Sequence, residues 1–250
     1  MSRLFSVVAV LGMVTACGDD AGSTDAGSVD AAELDAAELD AAEVDAIPID
    51  APVDAVELDA CAPRVLLAGG QDVAAQGWSI NQIQPSTLML GTGETVLTTT
   101  TAAGANSGGQ LLLSLPGTFA LGTPATIEIV LRVDAVSPHN QFDAAAAILA
   151  AFTPSVGTPT DRAQMIYLDA NRVGWSDDTA SFAVAITNGA AHTIRLSYDG
   201  AAQLAVAVDG VAALTRTGFT NAGTLAIGDQ TNDARVDATM RIERVTLLCP

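Results

Sequence analysis

The segment HTIRLSYDGAAQLAVAVDGVAAL, residues 192–214, constrains the fold more than any other part of the chain. In its first arm Ile194, Leu196 and Tyr198 alternate with Thr193, Arg195 and Ser197, the period of two that a strand with one buried face requires. In the second arm Leu204, Val206 and Val208 alternate with alanines, and the arms end in Asp199-Gly200 and Asp209-Gly210. Glycine accepts positive φ and aspartate bonds nearby backbone amides, so these dipeptides favour tight turns. The unit reads as an antiparallel meander.

The same theme repeats from Cys61 onward in RVLLAG, TLMLG, TVLTTT, QLLLSL, TIEIVLRV, AQMIYLD, RVGW, SFAVAI, TLAIG and MRIERVTLL, separated by Gly, Pro, Asn and Asp. Runs this short and closely spaced exclude long helical crossovers and predict an all-β, two-sheet antiparallel sandwich. Only NQFDAAAAILAAF has helical propensity; its small residues also suit a strand beneath a second sheet, which is the favoured reading. About 190 residues suffice for one core, so 61–250 is read as a single domain.

Before Cys61 the composition changes. Residues 18–60 hold fourteen of the 29 acidic side chains and no basic one, so most of the formal net charge of -19 resides there. The repeat AAELDAAELDAAEVDA has a period of five, which steps Leu34, Leu39 and Val44 around a helix instead of stacking them in a stripe. Unpaired like charges, Pro48 and Pro52 oppose helix further, and the stretch is expected to be a disordered tether. Such a coil reaches roughly 40 Å, or about 130 Å when extended. Its carboxylates lack the glycine-turn spacing of a calcium-binding repeat. Residues 61–250 set nine arginines, and no lysine, against fifteen carboxylates, without the basic patch of a nucleic-acid binder.

At the N-terminus Arg3, the apolar LFSVVAVLGMV and the small residues Thr15 and Ala16 have the layout of a secretory signal. Val14, Thr15, Ala16 and Cys17 resemble the lipobox of bacterial lipoproteins. The resemblance implies cleavage after residue 16 and lipid attachment at Cys17, with 17–60 as the tether. It places the mature chain in the bacterial cell envelope, on the outer membrane or cell surface, with the membrane as a partner through two or more acyl chains.

Within the domain, His192, the turn Tyr198 to Gly200, the strand end Val208 to Gly210, and Ile227 with Gly228 resemble the laminin G-like, concanavalin A-like jelly rolls of bacterial surface proteins. That family implies a jelly-roll sandwich whose last strand, here MRIERVTLL, returns beside the first. A bridge between Cys61 and Cys249 would then tie first and last strands, worth roughly 5 kcal/mol by loop entropy and commonly 2–4; the alternative is two free thiols.

The resemblance also implies glycan or protein binding, with calcium held by loop Asp and Asn. YLDANRVGWSDD and IGDQTNDARVD supply the candidates: Asp169, Asn171, Asp229, Asn232 and Asp233 for the cation, and Trp175, Asp177 and Asp178 for a ligand. Core packing is the competing reading for Trp175 and the favoured one for Trp78. His139 and His192 have no sequence-local partner and are read as structural or exposed. Related glucanases alternate Glu and Asp on one strand, but Glu128 stands alone and Glu243 lies between arginines. The expectation is an anchored recognition module without evident catalysis. The alternatives are a structural envelope protein or, further off, a glycan hydrolase.

Overall fold

Where apolar and polar residues alternate, the chain pairs into strands. The computed structural model describes residues 62–99, 108–120, 122–140, 143–150, 164–218 and 223–248. Cys17, Cys61, Cys249, the signal and the tether lie outside them. The strands are β1 (Arg64–Ala68), β2 (Ser79–Ile83), β3 (Thr87–Leu90), β4 (Thr95–Thr98), β5 (Gln110–Pro116), β6 (Ala125–Val136), β7 (Ala147–Ala150) and β8 (Met165–Asp169). They continue as β9 (Arg172–Trp175), β10 (Ser181–Ala183), β11 (His192–Tyr198), β12 (Leu204–Val208), β13 (Val211–Arg216), β14 (Thr224–Asp229) and β15 (Ala238–Leu248).

All pairings are antiparallel, and they form a two-sheet jelly-roll sandwich. The first sheet runs β13-β12-β11-β6-β15-β4-β3, with β1 also beside β15; the second runs β10-β9-β8-β7-β14-β5-β2. The last strand thus returns beside the first, Arg64 opposite Leu247, as the family resemblance implies. The run AILA is strand β7, in line with the favoured reading. Strand β2, SINQI, escaped the sequence pattern because it is an edge strand with every residue exposed.

The outer face of the first sheet is polar. Glu128 on β6 lies opposite Arg195 on β11 and bonds it at 3.0 Å, with Arg244 of β15 at 3.9 Å. Arg132 and Arg241 face each other across β6 and β15, a like-charge pair compensated by Asp134 and Glu94 between them. Glu128 therefore belongs to an ion-pair ladder. The inner faces meet in the main core, where Ile127, Ile129, Leu131, Ile148, Ile166, Leu168, Leu225 and Ile227 are fully buried. Trp78 joins this core and donates its indole N–H to Leu66 O at 2.8 Å.

The central strands of the second sheet, β7, β8 and β14, are buried on both faces. Leu112, Ala144, Ala147, Leu149, Met165, Tyr167 and Ala226 form a separate cluster on the sheet's outer side. This is why β7, β8 and β14 read as continuous apolar runs where β11 and β12 alternate.

The two Asp-Gly turns differ. Asp209 and Gly210 both take positive φ between Val208 and Val211, the two-residue hairpin the dipeptide predicts. Asp199 instead opens a longer loop, its carboxylate accepting the amides of Ala201, Ala202 and Gln203 at 2.8–3.0 Å. His192 bonds Asp209 through Nδ1 at 2.7 Å and Asn188 through Nε2 at 3.2 Å, so it fastens the hairpin.

Candidate functional site

The nominated tryptophan is not a ligand platform. Trp175 is 1% exposed within the main core, and the Arg216 guanidinium lies 4.4 Å from its ring centroid. That arginine, at the end of β13, donates to Asp177 Oδ1 at 2.6 Å and Thr179 Oγ1 at 2.7 Å. Arg216 thereby holds the carboxyl of Asp177 below the usual carboxylate range, against a burial that pushes it up. Trp175 and Asp177 thus join neighbouring edges of the two sheets, and the burial of Trp175 favours the competing core reading for it.

Asp178 and Asp169 meet elsewhere, on His139. The imidazole Nδ1 lies 2.9 Å from Asp169 Oδ2 and Nε2 lies 3.0 Å from Asp178 Oδ1. The backbone N–H of His139 also donates to Asp169 Oδ1 at 2.9 Å, and Arg172 Nε reaches Oδ2 at 3.3 Å. The His139 ring stacks on Tyr167 with centroids 3.7 Å apart and planes 12° from parallel. Tyr167 lies opposite Gly174 on β9, whose missing side chain makes room: a Cβ there would sit 2.4 Å from the tyrosine hydroxyl. Asn171, beside them, is exposed and accepts the Val184 amide on its backbone carbonyl.

The second nominated loop follows β14. Asp229 is 2% exposed; its Oδ1 accepts the Thr231 amide at 2.9 Å, and its Oδ2 has no hydrogen-bond partner among the described residues. Burial pushes this carboxyl up to about 7, aided by Asp237 and Asp143 and opposed by Thr99 and the Thr231 amide. Asp233 is held below the ordinary range, chiefly by the Arg235 amide, and its Oδ2 accepts from Asn140 Nδ2 at 3.4 Å.

Between the two loops runs the segment carrying His139, Asn140 and Asp143. Asn140 and Asp143 exchange both backbone hydrogen bonds, at 2.8 and 2.9 Å, closing a short loop. Asp143 then faces an open cavity of roughly 330 Å³ with Ile83, Gln110, Gln230, Thr231, Asn232 and Asp233. Gln110 Nε2 donates to Gln230 O at 2.7 Å, and Gln230 Nε2 to Asp143 Oδ1 at 3.4 Å. Gly108 takes a φ of 55° and passes so close to Asn232 that a Cβ would lie 2.2 Å from its carbonyl oxygen. Asn232 and Asp233 are the sequence candidates that reach this cavity. Gln230 and Thr231, within the same loop, were passed over for its acidic residues and Asn232, and Ile83, Gln110 and Asp143 were missed because no local spacing signals residues that meet from separate segments.

Calcium takes six to eight oxygen ligands, and the five nominated residues do not fit it. Asp169 and Asn171 lie on one side of the His139 segment, Asp229 to Asp233 on the other. The oxygens of Asp169 are occupied by His139 and Arg172, and those of Asp233 by Arg235 and Asn140. Among the described residues no group of three His, Cys, Asp or Glu side chains can hold a metal ion.

No protein-family model matches the chain, and no curated protein matches it. Solved structures resemble its backbone. The carbohydrate esterase vb_24B_21 of the Shiga toxin-encoding bacteriophage phi24B is 17% identical over 76% of this chain and 100% of that one, with a TM-score of 0.48. The metal-free carbohydrate recognition domain of Emp46p is 16% identical over 68% and 87%, with a TM-score of 0.44. The exoplasmic/lumenal domain of VIP36 in its Ca2+/Man3GlcNAc-bound form is 11% identical over 69% and 86%, with a TM-score of 0.48.

Proposed function

We propose that this domain recognises a glycan at the rim cavity, and that the acidic tether presents it from a lipid anchor at Cys17. The observation that carries the reading is the convergence on one open cavity of three side-chain amides, two carboxylates and a hydroxyl from separate segments. Carboxylates accept hydrogen bonds from sugar hydroxyls, and amides both donate and accept, which suits a ligand carrying many hydroxyl groups. Ile83, 42% exposed at the edge of the cavity, offers an apolar surface for the C–H face of a sugar ring. With Asp143 and Asp233 in the lining, neutral or amino sugars are favoured over uronates. His139 does not support a hydrolase reading, since both ring nitrogens are engaged by carboxylates and neither is free to act as a base.

A glycan array probed with and without calcium tests the proposal. Binding that is lost on Asn232→Ala and Gln110→Ala, and kept on Trp175→Phe, is the expected outcome. Absence of binding to any glycan, or binding indifferent to both cavity substitutions, would refute it. In that case the alternative of an envelope protein without a small ligand gains weight, supported by the buried alanine and leucine lining on the outer side of the second sheet.

A further inference from the structure

Asp169, a carboxylate nominated for a cation, and Asp178, one nominated for a ligand, are here gathered by a histidine. We propose that His139 is an internal cation standing where a metal would otherwise organise these loops, and that it is the positioning residue for Asn140 and Asp143 at the rim. The second half of this inference rests on the glycan-site reading; the first does not.

Geometry assigns the charge. The two ring nitrogens point away from each other, and each lies within 3.0 Å of a carboxylate oxygen. A neutral imidazole has one N–H, so only the imidazolium makes both bonds as a donor. Its side chain is 4% exposed and stacked on Tyr167; of its two carboxylate partners Asp169 is buried and Asp178 is exposed. Arg172 adds a second positive charge on Asp169 and stands 5.4 Å from the Tyr167 ring centroid. His139 and Arg172 therefore balance Asp169 and Asp178. A divalent cation would add uncompensated charge and would have to displace three donors from Asp169.

The turn is shaped to make this bridge. Asp178 takes a φ of 58°, a conformation side chains seldom adopt though aspartate tolerates it, and it is stabilised by its amide bonding Trp175 O at 2.9 Å. The residue so placed reaches His139 from a turn 39 positions away. On its other side His139 adjoins Asn140, which is locked to Asp143 by the paired backbone bonds. Fixing the ring against Tyr167, Asp169 and Asp178 thereby fixes where Asn140 meets Asp233 and where Asp143 faces the cavity.

Thermal unfolding of the purified full chain tests the internal cation without any glycan. Millimolar calcium chloride and EDTA are expected to leave the wild-type melting temperature unchanged. His139→Gln keeps hydrogen-bonding capacity but removes the charge, and should melt lower by roughly 5–15 °C. The decisive readout is the sign of Asp178→Asn: it should lower the melting temperature in the wild type and raise it in the His139→Gln background, where two carboxylates no longer share a cation. A role limited to packing would not reverse that sign. If His139→Gln fails to fold, the wild-type response to calcium and EDTA together with Asp178→Asn alone still decides: a calcium-stabilised wild type, or no loss on Asp178→Asn, overturns the proposal. In the glycan assay, wild-type binding should withstand EDTA. If no glycan binds, the proposed function fails while the melting data still judge the internal cation.

Discussion

Asp229 makes the fold lose stability as pH rises through a window where ordinary carboxylates are silent. Its carboxyl is 2% exposed and is pushed up from 3.8 to about 7 in the folded chain. Between those two values the folded state keeps a proton that the unfolded state has released, so unfolding becomes easier as pH rises. Stability from this group is complete below about 4 and lost above about 7. A difference of about three pKa units corresponds to about 4 kcal/mol. The lowered carboxyls Asp134, Asp177, Asp199 and Asp233 act in the opposite direction, and their contributions disappear below the ordinary aspartate range, outside this window. Asp229→Asn removes the titration while keeping an oxygen to accept the Thr231 amide. Urea denaturation from pH 4 to pH 8 should show wild-type stability falling across the window and the variant falling less, the remaining slope coming from Asp237, whose carboxyl burial also raises, with the variant the more stable at the alkaline end. Parallel profiles for the two proteins would refute the reasoning.

Three further outcomes follow from named contacts. Gly174→Ala puts a methyl group 2.4 Å from the Tyr167 hydroxyl, and should cost about 1–3 kcal/mol in denaturant titrations while disturbing the His139 stack. Trp175→Ala should cost about 3–5 kcal/mol, because the ring is core; loss of glycan binding by a folded Trp175→Phe protein would restore it as a ligand contact. Intact mass measurement should find acyl chains on Cys17 and one disulfide joining Cys61 to Cys249, whose reduction lowers stability by about 2–4 kcal/mol; a bridge involving Cys17 would overturn both assignments.

What the sequence disclosed and what it hid divide along one physical line. Strand β11 could be read because burial of Ile194, Leu196 and Tyr198 on one face imposes alternation within seven consecutive residues. The Asp209-Gly210 hairpin could be read because the turn and the residues that require it are adjacent. Strand β2 could not, since an exposed edge strand is held by backbone pairing with β5, which leaves no mark on side-chain identity. Trp175 shows how local polarity misleads: its acidic neighbours advertised a ligand loop, but one of them, Asp177, is consumed by Arg216 from another strand.

The rim is harder still to read, because its chemistry is assembled across distance. His139 finds its carboxylates 30 and 39 residues later, and Gln110 bonds a residue 120 positions away. Each partner alone is an ordinary polar loop residue. The two acidic loops were nominated for a cation through Asp169, Asn171, Asp229, Asn232 and Asp233 and for a ligand through Trp175, Asp177 and Asp178, while the histidine between them carries no local signature. A charge supplied by the protein and a charge supplied by a metal impose the same demand on Asp169 and Asp178. Only the position of His139 tells them apart, and that position is a consequence of the fold.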